Sequence, residues 1–269
     1  VNSSLMSDIH STALIHPDAK IGEGTQIGPY SVISDNVVIG AGCRIGSHVA
    51  ILPFTSLGEG CRVHAGAVLG DEPQDLGFEE CRSYVRIGDN CIIREGVTIH
   101  RGTKADSETR VGDGCFLMAF SHLAHNVILG QGVILANGVL LGGYVTVGDR
   151  VFIGGGAGVH QFVTIGRLAM IGGNSGISKD VPPFMTAETM GRNSITGMNI
   201  VGMRRAKFTS DQRLEIKEAY KTLYHSGLNV SQALALMRER FTCGPALELV
   251  QFIGQSKRGI CTPAYDEWK

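Results

Sequence analysis

Two histidines, His122 and His125, stand three residues apart in an otherwise apolar and glycine-rich stretch, and Asn126 follows them. An imidazole can take a proton from an alcohol as a general base near neutral pH. Gly143 lies 18 residues after His125, and Gln161 lies another 18 residues on. A glycine N–H has no side chain covering it, so it can donate to the oxyanion that forms when an acyl group is attacked. If the fold stacks residues 18 apart, these groups form a site suited to acyl transfer.

A repeat of six residues provides that stacking. From Ile9 to Ile177, every sixth residue is Ile, Leu or Val at 26 of 29 positions, although hydrophobic types of all kinds make up only 43% of the chain. The exceptions are Asp75, Cys81 and Ala105. A period of six is typical of a parallel β-helix, in which three hexapeptides form one triangular coil. Residues 18 apart then lie about 4.8 Å from each other on one face, which places His125 against Gly143 and Gly143 against Gln161.

Small residues form a second inward column. Two positions before each aliphatic residue, the chain carries small or β-branched types, which fit a narrow, packed interior. Four of the seven cysteines occupy this column: Cys43, Cys61, Cys91 and Cys115. No cysteine pair has the spacing of a zinc site, and core cysteines favour a reduced, cytoplasmic setting. The sequence therefore predicts a mainly β fold of about ten coils that holds no metal.

Changes of period divide the chain into segments. Residues 1–7 lack a secretion-signal pattern and are predicted to be a flexible lead-in. The β-helix is predicted over 8–183, with polar excursions at 71–86 and 100–110, and it ends at Pro182 and Pro183. A period of 3.6 then predicts a C-terminal α-helical domain over 184–269. Its helices are expected at 199–206, from an N-cap at Ser210 to Gly227, at 231–241 and at 245–253.

Composition and charge exclude several classes of function. The chain has 269 residues and a formal net charge of −1, so nothing favours binding to nucleic acid. No apolar run approaches the roughly 18 residues that a membrane helix needs. We therefore expect no integral membrane segment.

The histidines also have less specific interpretations. His100 and His160 each follow an aliphatic position, where other coils carry glycine, and this favours ordinary outward side chains. His100, His122 and His125 could instead be three metal ligands, as in β-helical carbonic anhydrases.

Five short strings occur in order along the chain, at the excursions and coils described above. They are Gln74-Asp75-Leu76, Thr98-Ile99-His100-Arg101-Gly102-Thr103, His122-Leu123-Ala124-His125-Asn126, Val159-His160-Gln161-Phe162 and Asp180-Val181-Pro182-Pro183. Together with the helical tail, they make the chain resemble the UDP-N-acetylglucosamine O-acyltransferases, the LpxA family. The resemblance covers nearly the whole chain after Ser7. A hexapeptide repeat alone is shared by many acyltransferases, whereas the five strings together are specific.

The resemblance implies a left-handed parallel β-helix assembled as a homotrimer, with active sites in clefts between neighbouring subunits. It implies a cytoplasmic enzyme that moves a 3-hydroxyacyl group from acyl carrier protein to the 3-hydroxyl of UDP-N-acetylglucosamine, the first step of lipid A biosynthesis. It implies no cofactor beyond the phosphopantetheine of the carrier protein.

The resemblance also assigns roles to residues. His125 matches the general base, Gly143 matches the oxyanion donor, and Asp75 and Gln74 match loop residues that contact the sugar. Gly173 falls where the family measures acyl length, and a glycine there favours a longer chain. Further substrate-binding positions are His122, Tyr144, His160, Gln161, Asn199, Arg204 and Arg205.

Several residues depart from the family pattern. Asn126 replaces the Asp after the catalytic histidine, Tyr144 replaces a His, Gly77 a Lys and Val201 an acidic residue. Residues 188–196 also differ. The amide of Asn126 can still accept from the imidazole N–H, but it supports the imidazolium less than a carboxylate would, and we expect a weaker base.

Alternative functions remain open at this stage. The same site could acylate a 3-amino UDP-sugar, or the chain could be an N-acyltransferase of the same pathway. The carbonic anhydrase interpretation requires zinc on three imidazoles. A catalytically silent scaffold is least supported, because two polar loops and the histidine column serve no packing purpose. By residue type alone, Arg204 and Arg205 fit either a solvated helix face or a diphosphate site.

Overall fold

A computed structural model describes residues 8–188 and 194–263 of the chain. The predicted lead-in over 1–7 lies outside these residues, as do residues 189–193 of the variable stretch and residues 264–269 of the tail.

Residues 8–177 form 26 short strands joined by tight corners. In chain order these are β1 (Asp8–Ile9), β2 (Leu14–Ile15), β3 (Lys20–Ile21), β4 (Gln26–Ile27), β5 (Val32–Ile33), β6 (Val38–Ile39), β7 (Arg44–Ile45), β8 (Ala50–Ile51), β9 (Thr55–Leu57), β10 (Arg62–Val63), β11 (Val68–Asp71), β12 (Tyr84–Ile87), β13 (Ile92–Ile93), β14 (Thr98–His100), β15 (Glu108–Val111), β16 (Phe116–Leu117), β17 (His122–Leu123), β18 (Ile128–Leu129), β19 (Ile134–Leu135), β20 (Leu140–Leu141), β21 (Thr146–Val147), β22 (Phe152–Ile153), β23 (Gly158–Val159), β24 (Thr164–Ile165), β25 (Met170–Ile171) and β26 (Gly176–Ile177).

Every third strand pairs in parallel, so the chain builds three sheets that are the faces of a left-handed triangular prism. The first face runs β1-β4-β7-β10-β13-β16-β19-β22-β25, the second runs β2-β5-β8-β11-β14-β17-β20-β23-β26, and the third runs from β3 to β24. The predicted parallel β-helix is confirmed. It has just under nine coils, slightly fewer than the ten that the sequence predicts.

Two inward columns form the core, as the repeat predicts. The aliphatic residue that ends each strand is buried from Ile27 onward, and the four column cysteines are fully buried. In the first described coil, Ile9 stays 42% exposed because the described residues form no further coil over it. Each buried thiol also donates to a glycine carbonyl of the next coil, for example Cys43 to Gly58 O at 3.2 Å.

The corners place one residue per hexapeptide in the left-handed region of backbone space. Asn126, Tyr144 and Phe162 adopt φ values of 59°, 60° and 65° at successive coils of one corner. Asn tolerates this conformation better than most residues because its short polar side chain bonds locally. This corner therefore stacks Asn126, Tyr144 and Phe162 at fixed heights, one coil apart.

The two excursions leave the prism without disturbing its phase. Ile87 pairs with Leu57 across 30 residues and with Val111 across 24, so the excursions add 12 and 6 residues, which are whole hexapeptides. They are shorter than predicted. Asp71 still belongs to β11, residues 84–86 belong to β12, His100 belongs to β14 and residues 108–110 belong to β15. The loops are thus residues 72–83 and 101–107, because parallel pairing extends the strands that flank them.

The predicted C-terminal helical domain is confirmed, and two strands that were not predicted precede its helices. After Pro183, strand β27 (Met185–Glu188) adds to β25, and β28 (Ser194–Met198) pairs with β27 in antiparallel fashion. Met185 and Ala187 are buried while the residues between and after them are not, which is a strand pattern too short to detect beside the repeat.

Four helices follow these strands. They are α1 (Ile200–Arg205), α2 (Ser210–Tyr224), α3 (Val230–Arg240) and α4 (Gly244–Gln255), and a final strand β29 (Thr262–Pro263) pairs with β28. The N-cap of α2 is Thr209 rather than Ser210, because Thr209 and Gln212 form a reciprocal capping box. The Arg167 guanidinium binds the Glu248 carboxylate with Nη2–Oε2 at 2.6 Å and so ties α4 to the last coils. None of the helices in the described part of the chain is both long and apolar enough to cross a membrane.

Candidate active site

His125 and Gly143 are in direct contact at the corner that follows the second face. A Cβ atom built on Gly143 would lie 2.5 Å from His125 Nε2 and 3.1 Å from Nδ1, so this part of the imidazole lies against bare backbone. One coil further on, Phe162 N donates to Gly143 O at 3.0 Å, and a Cβ on Gly142 would come 2.7 Å from Gln161 N. The predicted column of His125, Gly143 and Gln161 is therefore confirmed.

The N–H of Gly143 is free to donate. Its neighbours use theirs within the coil stack, since Gly142 N donates to Val159 O at 2.9 Å and Tyr144 N donates to His125 O at 3.0 Å. Within residues 8–188 and 194–263, Gly143 N makes no such bond. A backbone donor beside an imidazole is the arrangement that acyl transfer requires.

Asn126 fixes the tautomer of the base. His125 Nδ1 lies 3.1 Å from Asn126 Oδ1. An amide oxygen can only accept, so Nδ1 carries the proton and the Nε2 lone pair is available for a substrate hydroxyl. The amide thus performs the orienting part of the role that a carboxylate has beside a catalytic histidine.

His100 is a functional candidate that the sequence interpretation placed wrongly. The spacing favoured an outward side chain, but His100 is only 5% exposed and packs edge-on against His122 with ring centroids 5.0 Å apart. Its Nδ1 is buried and has no hydrogen-bond partner among the described residues. The reason is local, since β14 extends to His100, which pairs with Asp71 of the preceding coil and packs against His122 of the next coil.

Burial keeps this histidine pair neutral. Desolvation, assisted by the nearby His100, lowers the pKa of His122 to about 4, and desolvation also lowers the pKa of His100 despite the opposing charge of Asp71. The Thr98 hydroxyl lies 2.7 Å from His122 Nδ1 and holds the ring. At neutral pH both imidazoles can therefore bind polar groups without carrying charge.

We expect the proton NMR signal of His122 to titrate near pH 4, well below the 6.5 of a free histidine. The folded pKa is depressed, so protonation opposes folding, and this penalty grows as the pH falls from about 6.5 toward 4. Replacing Thr98 with Val leaves His122 buried, so the midpoint of its titration should stay low. A midpoint near 6.5 in the wild type would contradict the burial of His100 and His122.

The 72–83 loop carries Asp75 and Gln74, and an arginine fastens it. Arg101 is 7% exposed and donates through Nη1 to Cys81 O at 2.6 Å and through Nη2 to Glu80 at 2.7 Å. Because the Arg101 guanidinium is buried, its salt bridge with Glu80 fixes the base of the 72–83 loop against the 101–107 loop. Gln74 is exposed on this loop.

Asp75 lines a pocket whose wall includes Tyr144, the residue that contacts His125. Its Oδ1 accepts from Gly77 N at 2.9 Å, and the carboxylate lines a pocket together with Thr103, Lys104 and Tyr144. The Tyr144 ring stands edge-on to His125 with centroids 5.2 Å apart. The structure therefore brings the predicted Asp75, Tyr144 and His125 to one site.

An apolar groove runs along the second face beside the histidines. Leu140, Gly158 and Gly176 line it, flanked by His122 and His160. A Cβ on either glycine would have open space within 4 Å, so the missing side chains create the groove floor. The two glycines occupy outward positions of their strands. Glycine at two such positions was the sequence feature from which a groove in this face could have been predicted.

Gly173, Asn199, Arg204 and Arg205 lie elsewhere in the single chain. Gly173 is at the opposite corner of the second face, stacked on Gly155. Asn199 caps α1: its side chain accepts from Gly202 N and donates to Leu168 O, both at 2.8 Å. Arg204 and Arg205 are exposed in α1, and Gln161 is exposed at its corner. Their predicted roles in substrate binding remain predictions.

The three-histidine metal site finds no support in the described ranges. There, no group of three or more His, Cys, Asp or Glu side chains is arranged to hold a metal ion.

A β-helix of hexapeptides with an imidazole against a bare backbone amide defines a hexapeptide-repeat acyltransferase. The family described as bacterial transferase hexapeptide (six repeats) matches residues 18–53, 36–71 and 108–143, and domain 2 of UDP N-acetylglucosamine O-acyltransferase matches residues 180–261. The chain belongs to the UDP-N-acetylglucosamine O-acyltransferase family.

Similar proteins span nearly its full length. The acyl-[acyl-carrier-protein]--UDP-N-acetylglucosamine O-acyltransferase of Trichlorobacter lovleyi is 43% identical over 94% of this chain and 98% of its own. The solved structure of LpxA from Acinetobacter baumannii is 39% identical, with a TM-score of 0.90 over 94% of this chain and 99% of that one. The UDP-N-acetylglucosamine acyltransferase from Bacteroides fragilis is 40% identical, also with a TM-score of 0.90, over 93% and 98%.

Proposed function

We propose that this chain transfers a 3-hydroxyacyl group from acyl carrier protein to the 3-hydroxyl of UDP-N-acetylglucosamine, the first step of lipid A biosynthesis. The observation that carries the proposal is that the His125 imidazole, oriented by Asn126, lies against Gly143, whose N–H has no hydrogen-bond acceptor among the described residues. Near-full-length relatives named for this reaction support the choice of substrates.

The chemistry follows from the two groups. His125 Nε2 takes the proton of the sugar hydroxyl as its oxygen attacks the thioester carbonyl, and the N–H of Gly143 receives the oxyanion. The intermediate collapses with cleavage of the C–S bond, and the imidazolium returns the proton to the departing thiol. A new C–O ester bond replaces the thioester, and His125 ends neutral.

Two depressions lined by neighbours of His125 suit the two substrates, one at Tyr144 and one at Ala124 and Gly142. The pocket between Asp75 and Lys104 offers an acceptor and a cation, which fit the hydroxyls and the diphosphate of a sugar nucleotide. The groove over Gly158 and Gly176 is mainly apolar and fits an acyl chain.

The assembly and setting belong to the same proposal. The chain acts as a cytoplasmic homotrimer, with no cofactor beyond the phosphopantetheine of the donor. In a trimer, residues that are far from the His125 column of their own chain, among them Arg204 and Arg205, complete the site of a neighbour. Loss of activity on dilution to monomers, measured by light scattering beside the assay, would support this arrangement.

The test is a mass-spectrometric assay with UDP-N-acetylglucosamine and a ladder of 3-hydroxyacyl carrier proteins. We expect a 3-O-acylated sugar nucleotide, lost in His125→Ala. Absence of product with every donor, from folded protein, would overturn the proposal. Product only with the 3-amino UDP-sugar would establish the alternative acceptor instead.

The groove predicts how chain length is selected. We expect Gly158→Val to disfavour long donors, because the branched side chain rises from the groove floor beside Leu140. Each buried methylene contributes about 0.8 kcal/mol, so displacing three lowers kcat/KM for the longest donor roughly 50-fold. The same change at Gly173, where the family pattern predicts the length check, is the matched comparison. An equal loss for short and long donors in Gly158→Val would show that the acyl chain lies elsewhere.

A further inference from the structure

Three donors converge on one oxygen beside the base. Asn126 Oδ1 lies 3.1 Å from His125 Nδ1, from Thr103 N and from Thr103 Oγ1. The Thr103 hydroxyl in turn lies 2.9 Å from the Tyr144 hydroxyl. Asn126 itself is 9% exposed, so water does not readily substitute for these partners.

The proton positions in this chain of bonds follow from chemistry. The amide oxygen can only accept, so the Thr103 hydroxyl must donate to it. The Thr103 oxygen is then the acceptor for the Tyr144 hydroxyl. The direction is fixed from Tyr144 through Thr103 to the Asn126 oxygen, and His125 Nδ1–H meets the same oxygen from the other side.

These contacts matter because Asn126 is an amide and not a carboxylate. A carboxylate presents an acceptor oxygen in either orientation, whereas a flipped amide would present its NH2 group to His125. That group would force the proton onto Nε2, where the base needs its lone pair. With the amide flipped, the backbone N–H of Thr103 would face the NH2 group and lose its acceptor. The Thr103 hydroxyl would have to accept from that group and turn its own proton to Tyr144, so the Tyr144 hydroxyl would lose its acceptor in turn.

The geometry points to Thr103 and Tyr144 as positioning residues that lock the Asn126 amide, and through it the tautomer of His125. The 101–107 loop delivers Thr103 to this place, since Ser83 Oγ donates to Gly102 O at 2.6 Å and Arg101 ties the loop base. The departures at positions 126 and 144 are then coupled, because the tyrosine hydroxyl supports the hydroxyl that orients the amide. The expected effect on kcat rests on the proposed acyl transfer, whereas the expected tautomer of His125 does not depend on it.

The first test reads the tautomer without substrate. Long-range 15N–1H NMR of the folded protein is expected to show His125 protonated at Nδ1. Thr103→Val removes the hydroxyl but keeps the shape, and we expect an added Nε2–H population, while Thr103→Ser retains the wild-type spectrum. An unchanged tautomer in Thr103→Val would overturn the inference whatever the enzyme's activity.

The second test reads the coupling in kinetics. Loss of one hydrogen bond predicts a fall in kcat of about threefold to tenfold for Thr103→Val and a smaller fall for Tyr144→Phe, with KM little changed. In an Asn126→Asp background the same changes should cost less than twofold, because a carboxylate needs no orientation. Equal losses in both backgrounds would mean that Thr103 serves only the packing of the loop. A wild type that transfers no acyl group would refute the proposed function and leave the NMR result standing.

Discussion

His125→Gln is expected to lower kcat/KM for acyl transfer by about 1,000-fold, within the usual range for loss of a general base. Glutamine keeps a polar side chain of similar length, but it cannot take a proton. The ring of His125 lies against backbone at one side and against Tyr144 at the other, and it belongs to no hydrophobic core. The fold should therefore survive the change, with the melting temperature within about 4 °C of the wild type.

His16→Gln is the matched control. His16 is exposed on the first coils of the prism, and we expect unchanged activity. Circular dichroism and light scattering on both variants verify that the fold and the assembly are intact. If folded His125→Gln kept more than a tenth of the wild-type kcat/KM, another group would have to be the base.

The fold could be predicted in detail because its repeat is a geometric rule. Once every sixth residue is inward and three hexapeptides close a coil, stacking at 18 residues follows without further knowledge. This is why the contact of His125 with Gly143 was accessible from the sequence. The excursions did not break the rule, since they insert whole hexapeptides.

Contacts made by the loops were not accessible in the same way. The repeat says only that His100 follows an inward residue, whereas the buried residue pairs with Asp71 at the start of the 72–83 loop and contacts His122. Thr103 carries no sequence signal of a role, because its hydrogen bonds to Asn126 and Tyr144 span 23 and 41 residues through a non-repeating loop.

For the residues of α1, prediction from the sequence was limited for a different reason. Asn199 was predicted near substrate, and its side chain is occupied as a helix cap in the chain itself. The cap explains why an Asn suits this position whether or not it also meets a ligand. In the proposed homotrimer, the role of Arg204 and Arg205 would depend on a neighbouring subunit, which no pattern within one chain can place.

Gly143→Ala is expected to lower kcat about 100-fold with little change in stability. The added Cβ would lie 2.5 Å from His125 Nε2, so the imidazole must move, and a shift of about 1 Å at a reacting atom can cost 100-fold. The added methyl group would meet the end of the His125 side chain rather than packed backbone. The coil can therefore accept the methyl group, but the His125 ring cannot stay in place. Nε2 also leaves the line between the acceptor hydroxyl and the oxyanion donor.

Gly197→Ala provides the control for a glycine substitution, because a Cβ there meets nothing within 4 Å and the residue lies on β28, outside the groove. We expect its kcat and melting temperature to equal those of the wild type. A Gly143→Ala protein with full activity would show that neither the position of the His125 ring nor the open backbone beneath it is needed. Loss of activity together with a lower melting temperature would assign the glycine to the coil, whereas loss at constant stability assigns it to the reaction.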